Sequence, residues 1–315
     1  MAGLSIGDAV GAGFGVIRRR PMSVLAWGVV QLAIAAMTLS VFGSFFIDLA
    51  LQALSNVQAS AGSKVPVAMP MSTDMIQRMM GMQSISMLLN LGGVLVRSVI
   101  YCAVIRAVLH PEQGRFAYLR IGSAELFVTI LTIAAFFALT LAIIAPMLVI
   151  GLIVAGLAAA HAGTAAAIVG ILGVIATLVA LAYVALRLSL VAPMIVDDGK
   201  MHLLDAWALT RRHAGGLFMI ALCLFAILIA AEIVIGLLAL IVGLGALGSV
   251  AGGLPGLRTF FQQPPAAIFS SLTPLLIIGG MVSVPLTGCS FAITGAPWAR
   301  AYRDLSGPDL AATFS

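Results

Sequence analysis

The chain has 315 residues, 62% of them hydrophobic and only 9% charged, with a formal net charge of +5. A soluble domain carries about 25% charged residues, so this composition cannot coat a water-facing surface, and disorder is excluded because it needs low hydrophobicity and high charge. With a mean hydropathy of +1.18, what remains is an all-α membrane protein, whose basic excess reads as a topology signal and not as affinity for nucleic acid.

The first predicted element is an interfacial helix over about 5–20. Ser5-Ile6-Gly7-Asp8 has the Ser-x-x-Asp form of a capping box ahead of an apolar run, which starts a helix near Ile6. Gly7, Gly11 and Gly15 share one face of it. Each Gly costs about 1 kcal/mol relative to Ala, so this helix needs a neighbour or the membrane interface to persist. Arg18, Arg19 and Arg20 close the segment, and the apolar run behind them continues to about Leu54. That is far longer than a signal-peptide core of about 7–15 residues, so it is read as a first transmembrane helix.

Six apolar spans are predicted at about 22–54, 82–109, 124–157, 163–196, 215–248 and 267–298. A crossing needs about 20 residues, so the longer spans imply tilt, kinks or extension beyond the bilayer. Pro146, Pro274 and Pro285 are the candidate kinks. Residues 55–81 are polar and Met-rich and predict a short helix before span two. Residues 248–266 are Gly- and Pro-rich with adjacent Phe260 and Phe261, as suits a loop on the outer leaflet. No stretch leaves room for a separate soluble catalytic domain.

Basic residues set the orientation. Arg18, Arg19, Arg20, Arg106, Arg115, Arg120, Arg187, Lys200, Arg211, Arg212, Arg300 and Arg303, 12 of the 16 Lys and Arg, sit near one set of span ends. Both termini are therefore expected on the cytoplasmic side. A second interfacial helix is predicted at about 201–213, with Leu203, Leu204, Trp207 and Ala208 on one side and Asp205, Arg211 and Arg212 largely elsewhere. Phe14 before Arg18-Arg19 and Trp207 before Arg211-Arg212 both read aromatic-x-x-x-Arg-Arg, and residues 115–126 offer a weaker third copy. Three units of one interfacial helix plus two spans are one reading of this pattern. An alignment on Asp8 and Asp205 shifts the register and is the other.

The stretch from Arg187-Leu188-Ser189 through Pro193 to Asp197-Asp198-Gly199, followed by Leu204-Asp205-Ala206-Trp207-Ala208-Leu209-Thr210-Arg211, resembles a signature of a bacterial six-span family. That family is named for the membrane domain of glycerophosphoryl diester phosphodiesterases. Leu4-Ser5-Ile6-Gly7-Asp8-Ala9 resembles its opening. The resemblance implies a six-span bundle in the bacterial inner membrane. Phosphodiesterase chemistry in that family belongs to a fused soluble domain with metal-binding His, Glu and Asp clusters. The four His here, at 110, 161, 202 and 213, are scattered, so the resemblance does not carry that activity over.

Ionisable groups within a bilayer cost about 2.5–3.5 kcal/mol and call for a partner or a function. Arg97 in span two and Glu232 in span five stand out, and an extended Arg side chain would bridge their difference in depth. Gln83, Ser86, Asn90, Gly93, Arg97 and Tyr101 form a polar face on span two, and Ser283 and Thr287 lie on a similar face of span six. Two readings compete. In one, these groups are interhelical bonds worth about 0.6 kcal/mol each. In the other, they line a polar interior that passes or binds a solute, with Arg97, Glu232, Asn90, Tyr101, Ser283 and Thr287 as its residues.

Arg187, Arg211 and Arg212 are candidate contacts for lipid phosphate, because Arg makes planar bidentate contacts with phosphate. For Arg187 the alternatives are snorkelling or pairing with Asp197 or Asp198. Cys102, Cys223 and Cys289 all fall in apolar runs and read as small buried hydrophobes. The Met-rich stretch around Met69 and Met71 reads as flexible packing ahead of a Cu(I) site. No nucleophile elbow, P-loop, HExxH or paired-carboxylate arrangement appears, and no cofactor or metal is expected. The functional expectation is a non-enzymatic inner-membrane protein, an accessory or scaffold engaging phospholipid, a protein partner or a second copy of itself. The alternative is a transporter or channel using the polar faces of spans two, five and six.

Overall fold

The computed structural model describes residues 4–61, 73–112, 114–201, 203–211, 213–251, 263 and 265–306, and among them there is no strand. The helices are α1 (Ile6–Arg19), α2 (Pro21–Ala61), α3 (Thr73–Leu109), α4 (Ser123–Ala159), α5 (Gly163–Leu188), α6 (Val191–Asp198), α7 (Leu203–Arg211), α8 (Ala214–Ala251) and α9 (Pro265–Leu305). A 3-10 turn, Arg115–Tyr118, joins α3 to α4. Among the described residues six segments are long and apolar enough to cross a membrane: Pro21–Gly43, Met80–Leu109, Phe116–Ala159, Gly163–Asp198, Ala214–Leu238 and Thr273–Leu305. The protein is thus all-α and built as a multi-pass membrane protein. Among the described residues of 55–81 no separate short helix precedes span two: 55–61 continue α2 and 73–81 open α3. Met69, Met71, Phe260 and Phe261 lie outside the described residues.

The α1 helix begins where its capping residues place it, with the Asp8 amide donating to the Ser5 hydroxyl at 3.3 Å. The glycine stripe is not its packing face. Gly7, Gly11 and Gly15 have no neighbour within 4 Å of where a Cβ would stand. The buried face is Ala9, Gly13 and Val16. A Cβ on Gly13 would lie 2.8 Å from the Ile293 Cα of α9, so this close backbone approach needs glycine.

Span four is not one helix. The break at Ser189 and Leu190 separates α5 from α6, and Pro193 explains it. Pro193 has no N–H to give the Ser189 carbonyl, and its ring crowds that carbonyl. Gly199 then closes α6 in the left-handed region (φ 72°), its N–H donating to the Ile195 carbonyl at 2.9 Å. Pro146, Pro274 and Pro285, by contrast, lie inside unbroken helices. Residues 115–126 do not form a third interfacial helix. Phe116, Ala117 and Tyr118 all have positive φ (49°, 57° and 64°), which turns the chain sharply before α4 begins at Ser123.

The chain forms two compact units. The first comprises Met1–Pro21, Arg97–Phe225 and Phe291–Ser315. It contains the α4–α5 hairpin, turned at His161 (φ 58°), in which Gly173 and Gly170 admit the side chains of Ile150 and Val154. Outward on the hairpin stand Phe136, Phe137, Leu148, Leu152, Ile171 and Leu178, all exposed. Such a surface is stable only against hydrocarbon or another apolar partner. One core of this unit gathers Cys102, Ile105, Val128, Val191, Ile195 and Ala206. Another gathers Ala9, Leu190, Leu217, Ile220 and Ala301. The second unit comprises Met22–Val96 and Ala226–Ser290. In it α2 and α9 touch backbone to backbone: a Cβ on Gly28 would collide with the Val284 carbonyl, and one on Gly288 with the Val24 carbonyl. Small residues permit this approach between membrane helices.

Candidate functional site

Three side-chain clusters gather in the first unit. The most buried is Arg106 with Glu125. Arg106 occupies the last turn of α3, where a cation suits the helix dipole. Its Nη2 pairs with Glu125 Oε1 of α4, and its Nη1 donates to the Tyr118 carbonyl at 3.4 Å. The other carboxylate oxygen, Oε2, accepts from the Gly122 amide at 3.0 Å and so caps α4. Both side chains are almost fully buried. The Tyr118 hydroxyl donates to the Pro111 carbonyl at 2.9 Å, and Arg20 Nη2 donates to the same oxygen at 3.1 Å.

A second cluster ties three helix ends together. His110 Nε2 lies 3.2 Å from Asp197 Oδ1 of α6, and its Nδ1 lies 3.7 Å from Glu112. The Tyr302 hydroxyl of α9 donates to Asp197 Oδ2 at 3.1 Å. Asp197 is therefore engaged by His110 and Tyr302, while Asp198 accepts from the Lys200 amide at 2.9 Å.

The third cluster centres on Arg187, in the last turn of α5 and only 7% exposed. Its Nη2 donates to the Tyr183 hydroxyl at 2.6 Å. The guanidinium lies 4.9 Å from the Tyr183 ring and 5.5 Å from the Trp207 ring, within cation–π range of both. The two rings meet edge to face at 6.3 Å. The hydroxyl of Thr210 turns back to the Ala206 carbonyl at 2.9 Å and lies 3.3 Å from the Arg187 carbonyl, a contact that sets α7 against the end of α5. Nε and Nη1 of Arg187 are buried without any hydrogen-bond partner.

The other residues singled out by sequence fall as follows. Arg211 is exposed, and Arg212 lies outside the described residues. Arg97, Glu232 and Asn90 are exposed, while Tyr101, Ser283 and Thr287 are half-buried. Arg97 and Tyr101 belong to the first unit, the other four to the second. Their described polar bonds stay within one helix. Asn90 Nδ2 donates to the Ser86 carbonyl at 2.8 Å, and the Ser283 hydroxyl to the Gly280 carbonyl at 3.0 Å. Thr132, Thr140 and Thr177 likewise turn back to the carbonyl four residues earlier. Among the described residues no group of three His, Cys, Asp or Glu is placed to hold a metal.

Sequence reading missed the Arg106–Glu125 pair. The two residues are far apart in sequence, on different helices joined by an irregular turn, and no spacing rule links them. Comparison of the chain with family models, with curated proteins and with solved structures finds no match.

Proposed function

We propose that this chain is a non-enzymatic integral protein of a bacterial inner membrane, an accessory or scaffold that engages phospholipid at the end of the molecule carrying α1 and α7. The observation behind this reading is the outward face of α7. Leu203, Leu204 and Trp207 are exposed beside Arg211, while Ala206 and Thr210 are buried beneath them. A short helix docked by its small residues, with large apolar groups and a cation facing out, suits the headgroup layer. On α1, Phe14 is half exposed ahead of the exposed Arg18 and Arg19. The basic bias of this end favours cytoplasmic termini. The likeness of Arg187–Gly199 and Leu204–Arg211 to the six-span family supports the same placement.

The test is lipid retention. The full chain, purified in detergent from bacterial membranes, is expected to keep phosphatidylglycerol in preference to phosphatidylcholine through size exclusion. Equal loss of both sinks the reading. Release of product from phospholipid or glycerophosphodiester by the purified chain would overturn its non-enzymatic part.

Transport is the second reading, and the exposure of Arg97 and Glu232 inside apolar helices favours it. Charges there need water, a partner or a ligand.

A further inference from the structure

We infer that Arg187 is the anchor of a phosphate-binding site, closed over by Tyr183 and Trp207, that takes a lipid phosphodiester. This rests on the phospholipid reading above and names the residue and ligand chemistry within it.

A guanidinium carries five N–H donors on three nitrogens and no neutral form to fall back on in a protein. Only Nη2 of Arg187 has an acceptor, the Tyr183 hydroxyl. Nε and Nη1 have none, although the residue is more than nine-tenths buried. Aromatic faces attract the positive charge but accept no strong hydrogen bond from it. Among the described residues no carboxylate pairs with Arg187: Glu125 is held by Arg106, and Asp197 by His110 and Tyr302. A buried cation with unmet donors is unfavourable unless an anion completes it.

The surroundings select the anion. Arg187 sits at the C-terminal end of α5, directly under α7, whose outward Leu203, Leu204 and Trp207 suit headgroup depth. Phosphate offers several acceptor oxygens to one guanidinium, in the geometry a planar fork prefers. The rings over the guanidinium are themselves 48% and 39% exposed, for Tyr183 and Trp207. A rotamer change of either opens the donors toward the bilayer, and the apolar ring walls then face the glycerol and upper acyl carbons of a lipid.

The test uses the full chain in detergent, read by native mass spectrometry and by thermal melting. One arm titrates dioleoylphosphatidylglycerol, the other inorganic phosphate. Wild type is expected to hold one lipid tightly and to melt higher as that lipid is added. Arg187→Gln is expected to lose that lipid at least tenfold in affinity and to lose the melting shift. Arg187→Lys keeps the charge without the fork and is expected to fall between; it carries the test if the Gln variant does not fold. Arg303→Gln, at an exposed cation away from the site, is expected to retain the tight lipid. Saturation by inorganic phosphate at equal affinity supports the site and assigns it to free phosphate. Unchanged binding and melting in both Arg187 variants overturns this site while the phospholipid reading stands. Wild type that binds neither lipid nor phosphate overturns both.

Discussion

Glu125 does two things with one carboxylate: Oε1 meets Arg106 across the turn, and Oε2 caps the start of its own helix at Gly122. Removing it strands a buried guanidinium and an uncapped helix together. Breaking a buried pair from one side costs about 3–5 kcal/mol. Glu125→Ala should therefore lower the melting temperature of the detergent-purified protein sharply, and Arg106→Leu/Glu125→Leu should recover much of that loss. A Glu125→Ala protein melting like wild type would show that the pair is not held in solution. The residue scale is also where sequence was least informative. The Ser5–Asp8 cap was legible, because it depends on local pattern. That Arg187 lies against Tyr183 and Trp207, and not Asp197, was not legible. It depends on α7 folding back onto α5 through Thr210, a contact across 23 positions.

At the scale of elements, hydropathy located six membrane-length helices because burying twenty apolar side chains leaves little choice of structure in lipid. It could not show which glycines do the packing. Gly7 and Gly11 repeat every four residues yet touch nothing, whereas Gly13, Gly28 and Gly288 lie against neighbouring backbone. Gly28→Ala or Gly288→Ala should abolish monodisperse protein on size exclusion, since carbonyl oxygens occupy the space a methyl needs. Gly7→Ala and Gly11→Ala should be neutral or stabilise α1 by roughly 0.5–1 kcal/mol each, read by thermal melting. Equal outcomes for the two sets would mean that these helix contacts do not form. The break at Ser189 was readable in principle from Pro193, but a continuous apolar run masks a helix break when both pieces stay in apolar surroundings. The irregular turn at Phe116–Tyr118 left no trace in sequence, because its positive φ values fall on residues that usually avoid them.

For the whole molecule, the two functional readings part at Arg97 and Glu232. Single cysteines at these positions should resist a polar thiol reagent from both faces of the membrane if partner or lipid covers them, as the scaffold reading requires. Reaction at either position, from either face, would move the protein to the transporter class. At 1.5 Å per residue, the 41 residues of α9 run roughly 60 Å, about twice a hydrocarbon core. Length alone therefore permits this helix to serve both the membrane and the cluster at its end.

The meeting of Gly13 with Ile293 has a consequence for how the chain is made. Synthesis delivers α1 well before the closing half of α9, so the Ile293 backbone that Gly13 docks against does not exist until that half has been translated. During insertion α1 must wait without that contact, and completing its docking is a late step in biogenesis. Until then the first unit lacks its tightest backbone contact to α1.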